Sequence, residues 1–218
     1  MTITPAILPE NFEQIVHKLF LLEGVASRVQ IDICDGVFGL EKTWLPYQEE
    51  SLPVGFEYEF DVMVINWQKY IPRVITLGAT RIIAHIDTFT DADIEELLTM
   101  FEGSSLKLGL SVSNDKDIQH FAKVVQKISS KYSKVFIQVM GIAKIGAQGQ
   151  PFDENVVQRI AYLKKECRNI EIQVDGSMNP ETMLKVKNAG ASCAVIGSYL
   201  FKTDDVKGRV ETLRENFR

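Results

Sequence analysis

Short apolar runs alternate with longer amphipathic segments along most of the chain. The short runs are rich in β-branched residues and predict eight strands, over 3–7, 28–33, 58–64, 81–87, 107–113, 134–140, 171–177 and 192–198. Helical periodicity predicts helices over 11–23, 67–77, 91–101, 117–131, 153–167, 181–189 and 205–216, and a further helix over 40–52. Asp91 and Asp153 suit helix starts, and Gly190 suits a helix end.

Eight strands that alternate with helices predict a (β/α)8 TIM barrel, near the lower end of the size range of that fold. The 218-residue chain has no Pro/Gly/Ser-rich linker, charge block or low-complexity segment that would divide it. We therefore expect one α/β domain over residues 1–218. An open doubly wound sheet is the competing architecture.

Polar residues recur on one face of strand after strand, because residues two apart in a strand point to the same side. The pairs are Gln30 and Asp32, Glu59 and Asp61, His85 and Asp87, Ser111 and Ser113, Gln138 and Met140, and Gln173 and Asp175. Their alternates are almost all apolar. In a barrel the outward face packs under the helices, so this pattern predicts that the polar face lines the interior and the mouth.

Composition and charge narrow the class of partner. A formal net charge of −5, a pI near 5.3 and no clustered basic face argue against a nucleic-acid or anionic-membrane partner. The sequence has neither a secretory leader pattern nor an apolar run of about 18 residues, so we expect a cytosolic protein without a membrane partner. Cys34, Cys167 and Cys193 are widely spaced without C-x-x-C, and we interpret them as buried thiols.

Two aspartates are the candidate catalytic residues. Asp32 and Asp175 lie near the ends of the second and seventh predicted strands, each before a turn that contains a glycine. Two carboxylates that face each other across a pocket can remove a proton from one side of a carbon and return one to the other. The alternative is that each aspartate caps its loop or pairs with a buried cation.

Three glycine turns near the end of the chain are candidates for binding an anion. They are Gly149-Gln150, Gly176-Ser177 and Gly197-Ser198. Backbone N–H groups at such turns can approach a phosphate closely, and the loops after the last two strands of a TIM barrel often hold one. Ordinary turn chemistry is the competing explanation.

Motifs spread along nearly the whole chain resemble those of the ribulose-phosphate 3-epimerase family. Members of that family are metal-dependent barrel enzymes that interconvert ribulose 5-phosphate and xylulose 5-phosphate. ITPAILPENF resembles the family's I-x-P-S-I-L-x-x-D-F, QIDICDG its H-x-D-x-M-D-G, DVMV its H-L-M-V and AHID its F-H-x-E. VMGIAKIGAQGQPF resembles its M-x-V-x-P-G-F-G-G-Q-x-F with one extra residue, VDGSM its V-D-G-G-V and IGSYLF its G-S-A-I-F. The resemblance implies a barrel of the ribulose-phosphate-binding type.

The resemblance also implies roles for particular residues. It makes Asp32 and Asp175 an acid/base pair and metal ligands, and it assigns the three glycine turns to a phosphate site. The family's metal-binding histidines fall at Gln30 and Asp61, and an all-oxygen set made of Gln30, Asp32, Asp61 and Asp175 suits Mg²⁺, Mn²⁺ or Ca²⁺ better than Zn²⁺. A divalent Mg, Mn or Fe ion is therefore one expectation. The other is that no metal is bound and one aspartate is neutral at pH 7.

Further substrate-pocket candidates complete the predicted site. They are Ala6 at the family's serine position, Cys34 at a methionine position, Met63 and Met140 at retained methionine positions, His85 and Ser111. The first hypothesis is an isomerase that inverts a sugar-phosphate stereocentre next to a ketone through an enediolate. The alternative is a divergent phosphosugar-binding barrel with a different or lost activity. A homo-oligomer is an option, with Trp44 and Trp67 as candidates for either packing or a subunit contact.

Overall fold

Eight parallel strands close into a barrel in which each strand pairs with the next and the eighth pairs with the first. The structure is a computed structural model that describes residues 1–39, 41–47, 50–146 and 149–218. The strands are β1 Thr2–Ile7, β2 Arg28–Cys34, β3 Glu57–Met63, β4 Ala79–His85, β5 Lys107–Ser111, β6 Val135–Met140, β7 Glu171–Asp175 and β8 Cys193–Ile196. The TIM-barrel prediction is confirmed.

The helices of the described chain surround this barrel. They are α1 Phe12–Leu22, α2 Trp67–Thr76, α3 Asp91–Phe101, α4 Ile118–Lys131, α5 Asn155–Glu166, α6 Pro180–Ala189, α7 Ser198–Phe201 and α8 Val206–Asn216. The four-residue α7 is the one helix among them that the hydrophobic pattern did not predict, because it is too short to show a period. Among the described residues, none of the helices combines the length and the apolar content that a bilayer crossing requires.

The helix predicted over 40–52 is wrong for the residues described there, 41–47 and 50–52, which are not helical; Leu40, Gln48 and Glu49 lie outside the described residues. Tertiary hydrogen bonds replace the local ones that a helix would need. The Cys34 backbone N–H donates to Thr43 Oγ1 at 2.8 Å, and the Trp44 N–H donates to the Pro9 carbonyl at 2.8 Å. The segment is thereby fixed across the ends of β1 and β2.

The two faces of the strands are divided between two environments. The apolar face packs beneath the helices in one large core, which contains Ile31, Phe60, Ile82, Ile137 and Val174. The polar face points into the barrel, where charged and amide side chains are almost fully buried. This confirms the predicted parity for the pairs on β2, β3, β6 and β7. On β4 and β5 it is confirmed for His85 and Ser111, whereas Asp87 and Ser113 lie just beyond the strand ends, where the Ser113 N–H donates to Asp87 at 2.9 Å.

Both tryptophans pack in the core of this chain, with Trp44 8% and Trp67 5% exposed. Trp67 stacks on Phe89 with the ring centroids 4.9 Å apart, and the Trp44 indole N–H donates to Glu50 at 3.0 Å. All three cysteines are buried and free, as predicted.

Candidate active site

Three aspartates from distant parts of the chain meet inside the barrel near the ends of the strands. Asp32 on β2, Asp61 on β3 and Asp175 on β7 each offer a carboxylate oxygen within 4.8 Å of the others. Asp32 and Asp61 are neighbours in the strand register, whereas Asp175 reaches the cluster from across the barrel. The structure thus brings together the two predicted catalytic residues.

Gln30 connects two of these carboxylates. Its Nε2 donates to Asp32 Oδ1 at 2.8 Å and to Asp175 Oδ2 at 3.0 Å. Its Oε1 faces the other way, toward Gln173 Nε2 at 3.5 Å. The prediction that Gln30 supplies an oxygen ligand to a metal therefore differs from the structure, in which the amide presents N–H groups to the carboxylates.

Asp61 accepts hydrogen bonds on both oxygens. His85 Nε2 lies 2.8 Å from Oδ1, and Gln138 Nε2 donates to Oδ2 at 2.8 Å. Burial is the largest single influence on the pKa of His85 and lowers it, but the charge and hydrogen bond of Asp61, together with the charges of Asp87 and Asp175, outweigh burial and leave the pKa raised. His85 and Gln138 therefore hold Asp61 facing the cluster, and Asp61 does not turn away to pair with a lysine or arginine.

Burial and mutual repulsion raise the pKa of both candidate catalytic groups. For Asp32, burial and the charges of Asp175 and Asp61 hold the pKa well above its ordinary value, against the Gln30 hydrogen bond. For Asp175, burial and the charge of Asp61 raise the pKa to about 7. Such a cluster retains a proton near neutral pH, and its two titrations belong to the pair rather than to either residue.

The donor set fits a hard divalent cation. The three converging carboxylates supply oxygen ligands of the kind that Mg²⁺, Mn²⁺ and Ca²⁺ prefer, and a bound cation would offset part of the repulsion between them. Gln30 would support two of these ligands through hydrogen bonds instead of joining them.

A pocket of about 400 Å³ opens above the aspartates on the β6–β8 side of the mouth. Asp32 and Asp175 form part of its lining, and all six predicted phosphate-site residues line it: Gly149, Gln150, Gly176, Ser177, Gly197 and Ser198. Ala6, Met63 and Met140 also line the pocket, as predicted for substrate contacts. Lys202, Tyr199 and Asn179 line it as well and were missed, because nothing in the strand pattern marks residues of the following turns.

Three predicted pocket residues are buried outside this lining. Cys34 is 0% exposed and its sulfur lies 3.8 Å from that of Met63. His85 and Ser111 are 4% and 0% exposed, and the Phe38 ring packs against His85 with the ring centroids 5.3 Å apart. Within the described residues, His85 Nδ1 and Ser111 Oγ are buried atoms without a hydrogen-bond partner.

The turns on the pocket side have backbone conformations that suit close approach. Gly149 and Gly176 have φ values of 75° and 106°, and Ser177 also has a positive φ of 54°. The Ser177 hydroxyl donates to the Gln150 carbonyl, which ties the loops after β6 and β7 together. Ala147 and Gln148 of the motif before this turn lie outside the described residues.

Comparisons with known proteins agree with this architecture. A sequence model of the Ribulose-phosphate 3 epimerase family matches residues 2–201. The ribulose-phosphate 3-epimerase of Chlamydia pneumoniae is 27% identical over 188 residues, which cover 82% of this chain and 77% of that protein. The enzyme of the same name from Aquifex aeolicus (strain VF5) is 25% identical over 223 residues, which cover 97% and 95%.

Solved structures share the fold at lower sequence identity. A 3-hexulose-6-phosphate synthase has a TM-score of 0.67 at 15% identity and covers 99% of each chain. The synthase of that name from Salmonella typhimurium has a TM-score of 0.68 at 10% identity, with 99% of this chain and 98% of the other covered. At such identities the likeness shows the barrel alone.

Proposed function

Because the chain belongs to the ribulose-phosphate 3-epimerase family, we propose that it inverts the stereocentre next to the ketone of a ketose phosphate. The observation that carries the proposal is the pairing of Asp32 and Asp175 at the mouth, where the Gln30 amide bonds both carboxylates. Ribulose 5-phosphate is the substrate to test first, because relatives of this chain are named for it.

The proposed reaction divides acid and base between the two aspartates. With one proton shared by the cluster at neutral pH, the ionised aspartate removes the proton beside the ketone, and the protonated one supplies a proton to the opposite face. The carbon–hydrogen bond breaks, its electrons form the enediolate, and a new carbon–hydrogen bond then forms. Substrate and epimer have the same composition, so no other reactant is needed.

Asp32, Asp61 and Asp175 would hold a divalent cation in this proposal. When bound, the cation supplies positive charge that stabilises the negative oxygens of the enediolate. Asp61, kept in place by His85 and Gln138, serves as a ligand and not as a proton carrier.

The phosphate of the substrate is assigned to the glycine turns of the pocket. Gly176, Ser177 and Gly197 line the pocket, and backbone N–H groups at such turns can bind a phosphate; the exposed Lys202 adds a positive charge to the same lining. This arrangement would anchor the phosphate on the β7–β8 side, with the ketone end extending toward the aspartates.

The test follows hydrogen exchange at the reacting carbon. Purified protein is incubated with ribulose 5-phosphate in deuterated water, with and without added Mg²⁺, Mn²⁺, Fe²⁺ or Zn²⁺, and deuterium at C3 is measured by NMR. We expect exchange with at least one hard cation. Loss of exchange by about 10³-fold or more is expected in Asp32→Asn and in Asp175→Asn, since each amide removes a proton-transfer group.

The exposed Asp204→Asn provides a matched control that should exchange at the wild-type rate. Absence of exchange with every metal would exclude epimerisation of this substrate. Wild-type exchange in Asp32→Asn or Asp175→Asn would remove that residue from the assigned role.

The orientation of Gln30 favours a second candidate, a phosphosugar-binding barrel with another or no activity. An amide that gives two N–H groups to the carboxylates can hold them without a metal. Binding of ribulose 5-phosphate without deuterium exchange would support this candidate, and calorimetry on the same samples measures that binding.

A further inference from the structure

Below the aspartates, at the closed end of the barrel, lies a second layer of polar side chains built around Arg81. Arg81 is 1% exposed, and Glu59 and Gln173 are both 0% exposed. The Arg81 guanidinium donates to Glu59, to Glu171 at 3.0 and 3.3 Å, and to Gln173 Oε1 at 3.1 Å. The face of the guanidinium lies on the Phe136 ring, 3.7 Å from its centroid.

The donor character of Arg81 fixes the orientation of Gln173. A guanidinium has only donors, so the side-chain atom of Gln173 that faces it must be the oxygen. The Gln173 amide nitrogen consequently points to acceptors, and it donates to Glu59 Oε1 at 2.9 Å and to Gln138 Oε1 at 2.7 Å. Glu59, an acceptor when ionised, favours the same orientation.

The same constraint passes to the next amide. Because Gln138 accepts through Oε1, its Nε2 is the atom that faces the aspartates, and it donates to Asp61 Oδ2 at 2.8 Å. Arg81, Gln173, Gln138 and Asp61 thus form one directional chain of hydrogen bonds from the closed end of the barrel to the mouth. The contact from Gln173 to Gln30 Oε1 is longer, at 3.5 Å, and contributes less.

We propose that Arg81 is a positioning residue that orients the Gln138 amide through Gln173, and so keeps Asp61 turned toward Asp32 and Asp175. If Gln138 were reversed, its oxygen would face the Asp61 carboxylate and its N–H groups would face those of Gln173. Both contacts would be repulsive, and Asp61 would leave the cluster. The role of the cluster in catalysis rests on the proposed function, whereas the orientation of Gln138 does not.

Two variants interrupt this chain of hydrogen bonds and leave the three aspartates unchanged. Gln173→Met removes the link and leaves the Glu59–Arg81 ion pair in place. The double variant Glu59→Met/Arg81→Met removes the ion pair as a unit, since deleting Arg81 alone would leave a buried unpaired charge. Gln119→Met, at an exposed position of α4, is the matched control.

The readouts are independent of turnover. ¹H–¹⁵N NMR measures exchange of the Gln138 side-chain amide protons with water, and their signals are assigned by their loss in Gln138→Glu. Electron paramagnetic resonance measures the dissociation constant of Mn²⁺ without substrate. In wild type we expect the Gln138 protons to exchange at least 100-fold more slowly than those of the exposed Gln119.

In both variants that interrupt the hydrogen bonds, we expect the Gln138 amide protons to exchange at least 10-fold faster and Mn²⁺ to bind at least 5-fold more weakly. Neither change is expected in Gln119→Met. Unprotected Gln138 protons in wild type would overturn the proposal without any variant. The proposal would also be overturned if either variant folds and its Gln138 protons exchange at the wild-type rate. The same holds if those protons exchange faster but the dissociation constant of Mn²⁺ does not change. A wild-type protein that fails the deuterium assay but shows the expected NMR and Mn²⁺ changes would lose the epimerase assignment and keep the Arg81 assignment.

Discussion

Gln30 is the residue whose hydrogen bonds set the proton affinity of both candidate catalytic groups in the same direction. Its amide bonds Asp32 and Asp175, and each bond lowers the pKa of its carboxyl group against the larger opposing effect of burial. A hydrogen bond to an ionised carboxylate favours the anion. Gln30 therefore lowers the pH at which a base becomes available.

Gln30→Met removes this donor while keeping a side chain of similar length. The pKa of Asp175, about 7 in wild type, is then expected to rise. Because the base must be ionised to accept a proton, the acid limb of the rate–pH profile should move to higher pH. Deuterium uptake from ribulose 5-phosphate between pH 5 and 9 measures the shift, and an unchanged or lower midpoint would contradict it.

Helix α6 connects the loop after β7 to the wall of the barrel. The side chain of its cap residue Asn179 accepts hydrogen bonds from the backbone N–H groups of Glu181 and Thr182. In turn, the Asn179 N–H donates to Thr182 Oγ1, and Pro180 follows the cap. The helix ends at Ala189 and is capped by Gly190, whose φ of 115° suits a residue without a side chain. Asn179 also lines the pocket, so the cap and the proposed phosphate site share one residue.

Asn179→Ala is expected to lower the free energy of unfolding by about 1 kcal/mol and to weaken phosphate binding as its loop loosens. Asn11→Ala is the matched control, because Asn11 caps α1 and accepts from the Gln14 N–H at 2.9 Å but does not line the pocket. It should cost similar stability and leave phosphate affinity unchanged. Urea unfolding and calorimetry with inorganic phosphate measure both variants; equal phosphate affinities would separate the cap from the site.

At this scale the sequence predicted much of the structure, because strand alternation directly records which side chains face the helices. It predicted the strands and all the longer helices of the described chain. The helix predicted over 40–52 was wrong for the residues described there, because hydrogen bonds to distant residues, such as that of Trp44 with Pro9, decide their conformation. Local propensity does not contain those partners.

The whole molecule holds several buried carboxylates, and their raised pKa values make its stability depend on pH. Burial and the charge of Asp61 raise the pKa of Asp175 from 3.8 to about 7, so the folded state binds a proton more tightly than the unfolded chain does. The stabilisation from that proton is fully present below the unfolded pKa and is lost as pH rises through about 7.

Without divalent cations, the free energy of unfolding should therefore fall between pH 5 and 8, by at most about 3 kcal/mol from this group. Asp175→Asn should flatten that dependence, and saturating Mn²⁺ should offset the loss by binding the folded state. Urea unfolding in chelator across this range measures the slope. Wild-type stability that is constant or rises with pH would contradict the assignment.

The sequence indicated that polar residues fill the interior, yet it could not indicate how they pair. Strand parity predicted that Asp32, Asp61 and Asp175 face the interior, and the resemblance to the epimerase family implied that they meet at one site. Arg81 lies on the same parity as His85 and could have been found by extending the pattern toward the start of β4. The directions of the amides depend on partners from five strands, so the sequence could not indicate that Gln30 donates N–H groups to Asp32 and Asp175.

The layer of polar side chains around Arg81 restricts the route by which a small molecule reaches and leaves the aspartates. Among the described residues, its side chains fill the interior beneath the aspartates, with Arg81 and Gln173 at most 1% exposed, so this layer blocks the route toward the strand starts and leaves the mouth for exchange with solvent. Entry and departure then share one route, and a second molecule has to wait until the first has gone.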